Sequence, residues 1–255
     1  MTLITDTPEF QHLSDREKNF FSKYQKAVHS WQNSHYLDYP QQVHIETLQG
    51  KLPSVNIHLV TNGSALTENK IDALASAQRP FNMNVSLNDH RPEIYEKLMS
   101  LKFERTIGNI EILHDKLVHG EFPHSVAICR VSGKREDDIE FLDWVSAKFP
   151  HFRVIIKPAG NWIGKVDSRT HDSVLPIGCL AWFQFSIMAT GDVALCCMDA
   201  HGEKTFGNVP TRSVLEIYNS PEHRQYRESK SRANLNLCSK CTYPETSSDD
   251  RVPIP

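Results

Sequence analysis

The chain is predicted to be an α/β protein that ends in a small cysteine-bearing domain. Two observations carry this: strands alternate with helices from Pro40 to about residue 157, and five of the six cysteines fall after residue 178. The alternation calls for a parallel sheet, either open or curled toward a barrel. The 255 residues hold 39% hydrophobic and 23% charged residues, ordinary values for a globular protein with a sizeable core.

The elements follow in order. Phe20, Phe21, Tyr24, Val28 and Trp31 recur at spacings of three and four, an apolar stripe predicting a helix over 15–31 within a helical extension at 1–40. Strands are predicted at Val43–Leu48, Val55–Thr61, Met83–Leu87, Ser125–Val131 and Arg153–Lys157. Ser64 or Thr67 caps a helix carrying Ile71 and Leu74, and Pro92 opens a short one. A longer helix places Ile107, Ile110, Leu113 and Leu117 on one face, and another runs from Arg135 to Phe149. The last third changes character. Cys179 to Met198 alternates apolar and polar residues around Thr190-Gly191-Asp192, a β-hairpin pattern, and Val214–Lys230 reads as a helix broken at Pro221. The polar, proline-tipped end, 246–255, is expected to be disordered.

One connection is anomalous. Only about six residues, including Gly50-Lys51-Leu52-Pro53, separate the strands at Val43 and Val55. A parallel crossover takes about a dozen or more, normally with a helix. Either the second strand runs antiparallel or a βα segment is missing between them, and the second reading is favoured.

Composition narrows the function classes. Net charge is −3 with scattered lysines and arginines, so nucleic acid is not an expected partner. No run of about 18 apolar residues suggests a membrane span, and the opening MTLITDTPEFQHLSD lacks a basic start followed by an apolar stretch. A cytoplasmic location follows as the expectation. Six cysteines in that setting point to metal or redox chemistry more than to disulfides. Thirteen histidines form no H-E-x-x-H pattern, and no G-x-S-x-G context supports a serine nucleophile.

The cysteines themselves are the strongest signal. Cys238-x2-Cys241 offers two thiolates from one tight turn, and the hairpin brings Cys179 and Cys196 together at its open end. Cys179, Cys196, Cys238 and Cys241 are therefore the candidate metal ligands. Cys197 reads as a packed neighbour, and Cys129, mid-strand in an apolar run, as a core residue. Spacing alone admits zinc and iron–sulfur clusters alike.

The text around these cysteines carries a resemblance. Gly191-Asp192-Val193-Ala194-Leu195-Cys196, Gly207-Asn208-Val209, Ser213 to Ser220 (SVLEIYNS) and Cys238-Ser239-Lys240-Cys241 resemble, in this order, the SPASM or twitch extension of radical S-adenosylmethionine (radical-SAM) enzymes. With one C-x2-C, the chain is similar to the shorter twitch form, which implies a single auxiliary [4Fe–4S] cluster on the four cysteines. Thr61-Asn62-Gly63-Ser64 with Leu66-Thr67, and Val85 to Asn88 with Tyr95 to Leu98, resemble strand–helix junctions of the radical-SAM barrel. The implied architecture is a partial (β/α) barrel of that type at 41–175, reduced in strand number, followed by a hairpin-plus-helix cluster domain at 176–245. By the same analogy Asn62, Ser86, Asn88, Arg130 and Asn161, in the Gly160-Asn161-Trp162 step, would face the cavity as cofactor-binding residues.

The family's C-x3-C-x2-C loop, whose cluster binds S-adenosylmethionine, has no counterpart: no cysteine lies between Met1 and Ile128. The resemblance implies an oxidoreductase or modifying enzyme acting by hydrogen abstraction on a small molecule or peptide, served by a flavodoxin- or ferredoxin-like reductant. S-adenosylmethionine and a second [4Fe–4S] cluster belong to that implication only if the missing segment exists in the natural protein. As written, the sequence is expected not to cleave S-adenosylmethionine, and no catalytic residue is assigned. The alternatives are a non-catalytic relative that keeps its auxiliary cluster for structure, electron transfer or partner binding, and a zinc-stapled α/β module.

Overall fold

The computed structural model describes residues 18, 42–45, 57–166, 178–229 and 231–242. The helix expected over 15–31, Lys18 aside, and the tail at 246–255 lie outside the described residues. The chain divides into two compact units, with a boundary between Ala159 and Gly160.

The first unit is a parallel α/β layer. Strands β2 (Ile57–Thr61), β3 (Phe81–Ser86), β4 (Ser125–Val131) and β5 (Arg153–Lys157) lie in the sheet order β2-β3-β4-β5, every pairing parallel. The crossovers are helical: α1 (Glu68–Ala75), α2 (Pro92–Met99) with α3 (Phe103–Val118), and α4 (Arg135–Lys148). Each crossover has room for a helix, which is what a parallel sheet requires. Strand β3 shows why one face is buried. Phe81, Met83 and Val85 are buried and Asn82, Asn84 and Ser86 are only partly so, the period-two pattern of a sheet with one packed face. Ile71, Tyr95, Ile110, Leu113, Phe141 and Val145 from the four helices complete this core.

The TNG junction after β2 owes its sequence to local geometry. Gly63 takes φ +78°, and a Cβ there would meet Val85 Cγ1 at 3.1 Å. Asn62 Oδ1 accepts from Ser64 N at 3.1 Å, and Asn109 Nδ2 on α3 donates to the Gly63 carbonyl at 3.0 Å.

The second unit holds a four-stranded sheet in the order β1-β6-β7-β8: β1 (Gln42–Ile45), β6 (Gln184–Ile187), β7 (Asp192–Ala194) and β8 (Thr205–Asn208). The hairpin is present as expected, β6 and β7 pairing antiparallel around Gly191 at φ +86°. Strand β8, which the sequence pattern does not predict, extends it. Strand β1 corrects an expectation. Instead of opening the sheet that contains β2, it runs parallel to β6, with Val43 opposite Phe185. Strands β1 and β2 belong to different sheets, so no parallel crossover between them is required.

The SVLEIYNS segment becomes α5 (Val214–Tyr218) and the N-cap of α6 (Pro221–Glu228). Ser213 and Glu216 form a capping box, Ser213 Oγ accepting from Glu216 N at 3.2 Å and Glu216 Oε2 from Ser213 N at 2.8 Å. Ser220 caps α6 ahead of Pro221 in the first turn, so the break expected at Pro221 is a change of helix. Among the described residues no helix is long and apolar enough to cross a membrane.

Candidate metal centre

Cys179, Cys196, Cys238 and Cys241 converge on one apolar core, together with Trp182, Phe183, Phe185, Val193 and Ile217, and each is no more than 9% exposed. Three local structures deliver them. Cys179 precedes a 3-10 turn at Leu180–Phe183, in which Trp182 N donates to the Cys179 carbonyl at 3.2 Å. Cys196 follows β7, and Asp199 N donates to its carbonyl at 3.1 Å. Cys238 opens a 3-10 turn at Cys238–Lys240, closed by Cys241 N donating to the Cys238 carbonyl at 3.1 Å.

The surroundings of the thiols are of two kinds. Burial pushes the Cys179 thiol up to about 12 and the Cys238 thiol up to about 11, and raises Cys196 as well. Opposing this, the Arg232 charge favours ionised Cys179 and Cys238, and the Trp182 indole N–H donates to the Cys238 sulfur. Cys241 is the shared electrostatic neighbour of Cys179, Cys196 and Cys238. Among the described residues, no group of three or more cysteine, histidine or carboxylate side chains stands arranged to hold a metal ion.

The C-terminal turn is anchored from one direction. Asn161 Nδ2 donates to the Lys240 carbonyl at 2.5 Å, Asn161 Oδ1 accepts from Thr242 N at 3.1 Å, and Asn161 N donates to Thr242 Oγ1 at 3.3 Å. The adjoining residues are tightly placed: Trp162 and Ile163 take left-handed φ values of 46° and 55°, and a Cβ on Gly164 would meet Lys240 Cβ at 3.2 Å. Trp162, Ile163, Met198 and His201 border a cleft of about 210 Å³.

The other residues expected to line a cavity belong to the first unit and have local partners. Asn62 holds its own turn, accepting from Ser64 Oγ at 2.8 Å. Ser86 ends β3 opposite Cys129 in the register. Asn88, at φ 63°, accepts from Val131 N at 3.0 Å and donates to Met99 Sδ at 3.1 Å. Arg130 is buried in an ion-pair network, donating to Asp138 at 2.7 Å and Asp89 at 2.9 Å as well as to the Asn88 carbonyl. Burial alone would raise the Asp89 carboxyl, but hydrogen bonds from Arg91 and Arg130 outweigh it and hold Asp89 well below the usual carboxylate range. Asn88 and Arg130 are therefore brought together, while Asn161 lies in the other unit beside the C-x2-C turn.

Comparison with known families bears on the gathered cysteines. Residues 179–242 match the family model of SPASM, an iron–sulfur cluster-binding domain. The match falls on the residues that carried the resemblance to the SPASM or twitch extension. Among solved structures, Streptococcus suis SuiB bound to its precursor peptide SuiA is 13% identical, with a TM-score of 0.55 over 75% of this chain and 54% of SuiB. The chain thus spans about half the length of SuiB. BtrN in complex with AdoMet and 2-DOIA is 11% identical over 89% of this chain and 82% of BtrN, with a TM-score of 0.40. No curated protein matches the sequence.

The SPASM donor set fits an iron–sulfur cluster in chemistry. All four candidate donors are thiols in an apolar shell, and soft thiolates are the ligands such clusters take. Neutral thiols with raised pKa values are what burial produces without a cation, and ligation would remove their protons. Cys197 is half-buried beside Cys196, and Cys129 is buried within β4 of the first unit. The sequence pattern did not single out Trp182 or Arg232. Their proximity to the thiols arises from side-chain direction in turns, which periodicity does not encode.

Proposed function

We propose that Cys179, Cys196, Cys238 and Cys241 hold one [4Fe–4S] cluster, and that the chain serves as the auxiliary-cluster component of a radical-SAM-type oxidoreductase or modifying enzyme acting on a peptide. The observation that carries this reading is the convergence of four buried thiols in one core within the SPASM match. A bound cluster supplies one-electron chemistry and an all-thiolate crosslink. The protein's own residues do the rest. The Gly191 hairpin presents Cys179 and Cys196, Asn161 holds the turn bearing Cys238 and Cys241, and Phe183, Phe185, Val193 and Ile217 keep water out. The choice of a peptide rests on the fold shared with SuiB, whose structure contains its precursor peptide.

The cysteine count limits the chemistry. Four of six cysteines on one cluster leave Cys129 and Cys197, fewer than the three thiolates of a cluster that binds S-adenosylmethionine. We therefore assign these 255 residues a cluster-holding role without cleavage of S-adenosylmethionine. The test is anaerobic reconstitution of the full chain with iron and sulfide. A broad brown absorbance that is lost on substituting any one of the four cysteines by serine, with no 5′-deoxyadenosine formed under strong reductant, is the expected result. A colourless protein after reconstitution, or 5′-deoxyadenosine production, contradicts it.

A further inference from the structure

Arg232 is 1% exposed, and arginine is seldom buried outright unless paired. It lies in the segment leading to Cys238, and its Nη1 donates to the Cys241 carbonyl at 3.2 Å. Its charge reaches Cys179 from one arm of the site and Cys238 from the other. The opposing anion is Asp199, 2% exposed, which acts on Cys238 in the contrary sense while its carboxylate accepts from Glu203 N at 2.8 Å and Lys204 N at 2.9 Å.

A guanidinium fixed beside the Cys241 backbone, with its charge acting on the Cys179 and Cys238 thiols, suits an anionic occupant. A [4Fe–4S] centre with four cysteinates is negative overall, and more so after it accepts an electron, so a nearby fixed cation stabilises the reduced form. Net charge and hydrogen bonds to sulfur are established determinants of cluster potential. Resting on the cluster assignment above, we propose that Arg232 is a positioning residue that balances the charge of the four thiolates and raises the reduction potential of the centre they hold. The fully buried Trp182 acts in the same direction through its hydrogen bond to Cys238.

The experiment is a redox titration of the reconstituted full chain, followed by electron paramagnetic resonance, for the parent protein, Arg232→Lys and Arg232→Gln. Lysine keeps the charge, and glutamine keeps a donor without charge. The midpoint of Arg232→Gln should move to more negative potential at unchanged iron content, with Arg232→Lys close to the parent. Equal shifts in both variants, or none in either, overturn the proposal. Should Arg232→Gln fail to take up a cluster, Arg232→Lys decides. Uptake by the lysine variant supports the charge role, and failure of both makes Arg232 a packing residue and overturns it. A parent protein that takes up no iron and sulfide refutes the cluster assignment instead, whatever Arg232 does.

Discussion

Asn161 is joined to Lys240 by a 2.5 Å hydrogen bond from its side-chain amide to the Lys240 carbonyl, and the same amide accepts from the backbone of Thr242. One side chain therefore fixes both ends of the segment that follows Cys238. Replacing Asn161 by alanine removes two side-chain hydrogen bonds, worth about 1–2 kcal/mol together. Thermal unfolding should register that loss, and iron content after reconstitution should fall with it. Asn161→Asp separates the halves: it still accepts from Thr242 N but presents a carboxylate to the Lys240 carbonyl, so it should be no better than alanine. Wild-type iron content in both variants would count against an anchoring role.

Arg130 makes a contrasting case. It bridges Asp89 and Asp138 in the first unit, and removing it takes the cation from Asp138 and leaves Asp89 with Arg91 as its remaining partner. Breaking a buried pair costs about 3–5 kcal/mol, and the remaining Arg91 contact places this case toward the lower end. Arg130→Met should lower stability on that scale in denaturant unfolding. Because its partners lie in the α/β layer, iron bound per folded chain should not change.

His223 gives a pH dependence. Burial first, then the Arg227 charge, lowers its pKa from 6.5 to about 3. His223 Nδ1 faces both Arg227 Nη1 and the Tyr218 carbonyl, the latter at 3.2 Å and also accepting from Arg227 Nη2 at 2.6 Å, and the buried ring is held neutral. The unfolded chain binds the proton more readily than the folded one, so this contribution is complete above about pH 6.5 and is lost as pH falls toward 3. Between pH 7.5 and pH 5 the loss is on the order of 2 kcal/mol. Urea unfolding at the two pH values should show it, and His223→Gln should flatten the difference.

Much of this was legible in the sequence because it is local. Period-two alternation marks β3, a continuous apolar run marks β4, the 3.6-residue period marks α3, and Ser220-Pro221 marks a helix start through capping. The hairpin and the C-x2-C turn needed only the glycine at 191 and the spacing of 238 and 241. Partner choice over long distances was not legible. Nothing in Val43-His44-Ile45 says that the strand pairs with Phe185 and its neighbours instead of with β2, because any strand of that pattern presents the same backbone edge. Asn161 was singled out by analogy for a cavity role, yet its observed partners are backbone groups of Lys240 and Thr242, which carry no side-chain signature. Arg232 carries no signal in the sequence, since burial of a single arginine leaves no periodic trace.

Cys129 and Cys197 provide an internal control on ligand assignment. Cys129→Ser should keep the chromophore, with a stability cost from placing a hydroxyl in a buried strand. Cys197→Ser should also keep it, and loss of colour in that variant would move the ligand assignment from Cys196 to its neighbour.

The most direct measurement is the metal and acid-labile sulfide content of the anaerobically purified full chain. About four irons and four sulfides per chain, with zinc absent, is the result expected for a single [4Fe–4S] cluster on four cysteines. One zinc per chain without sulfide would contradict the account.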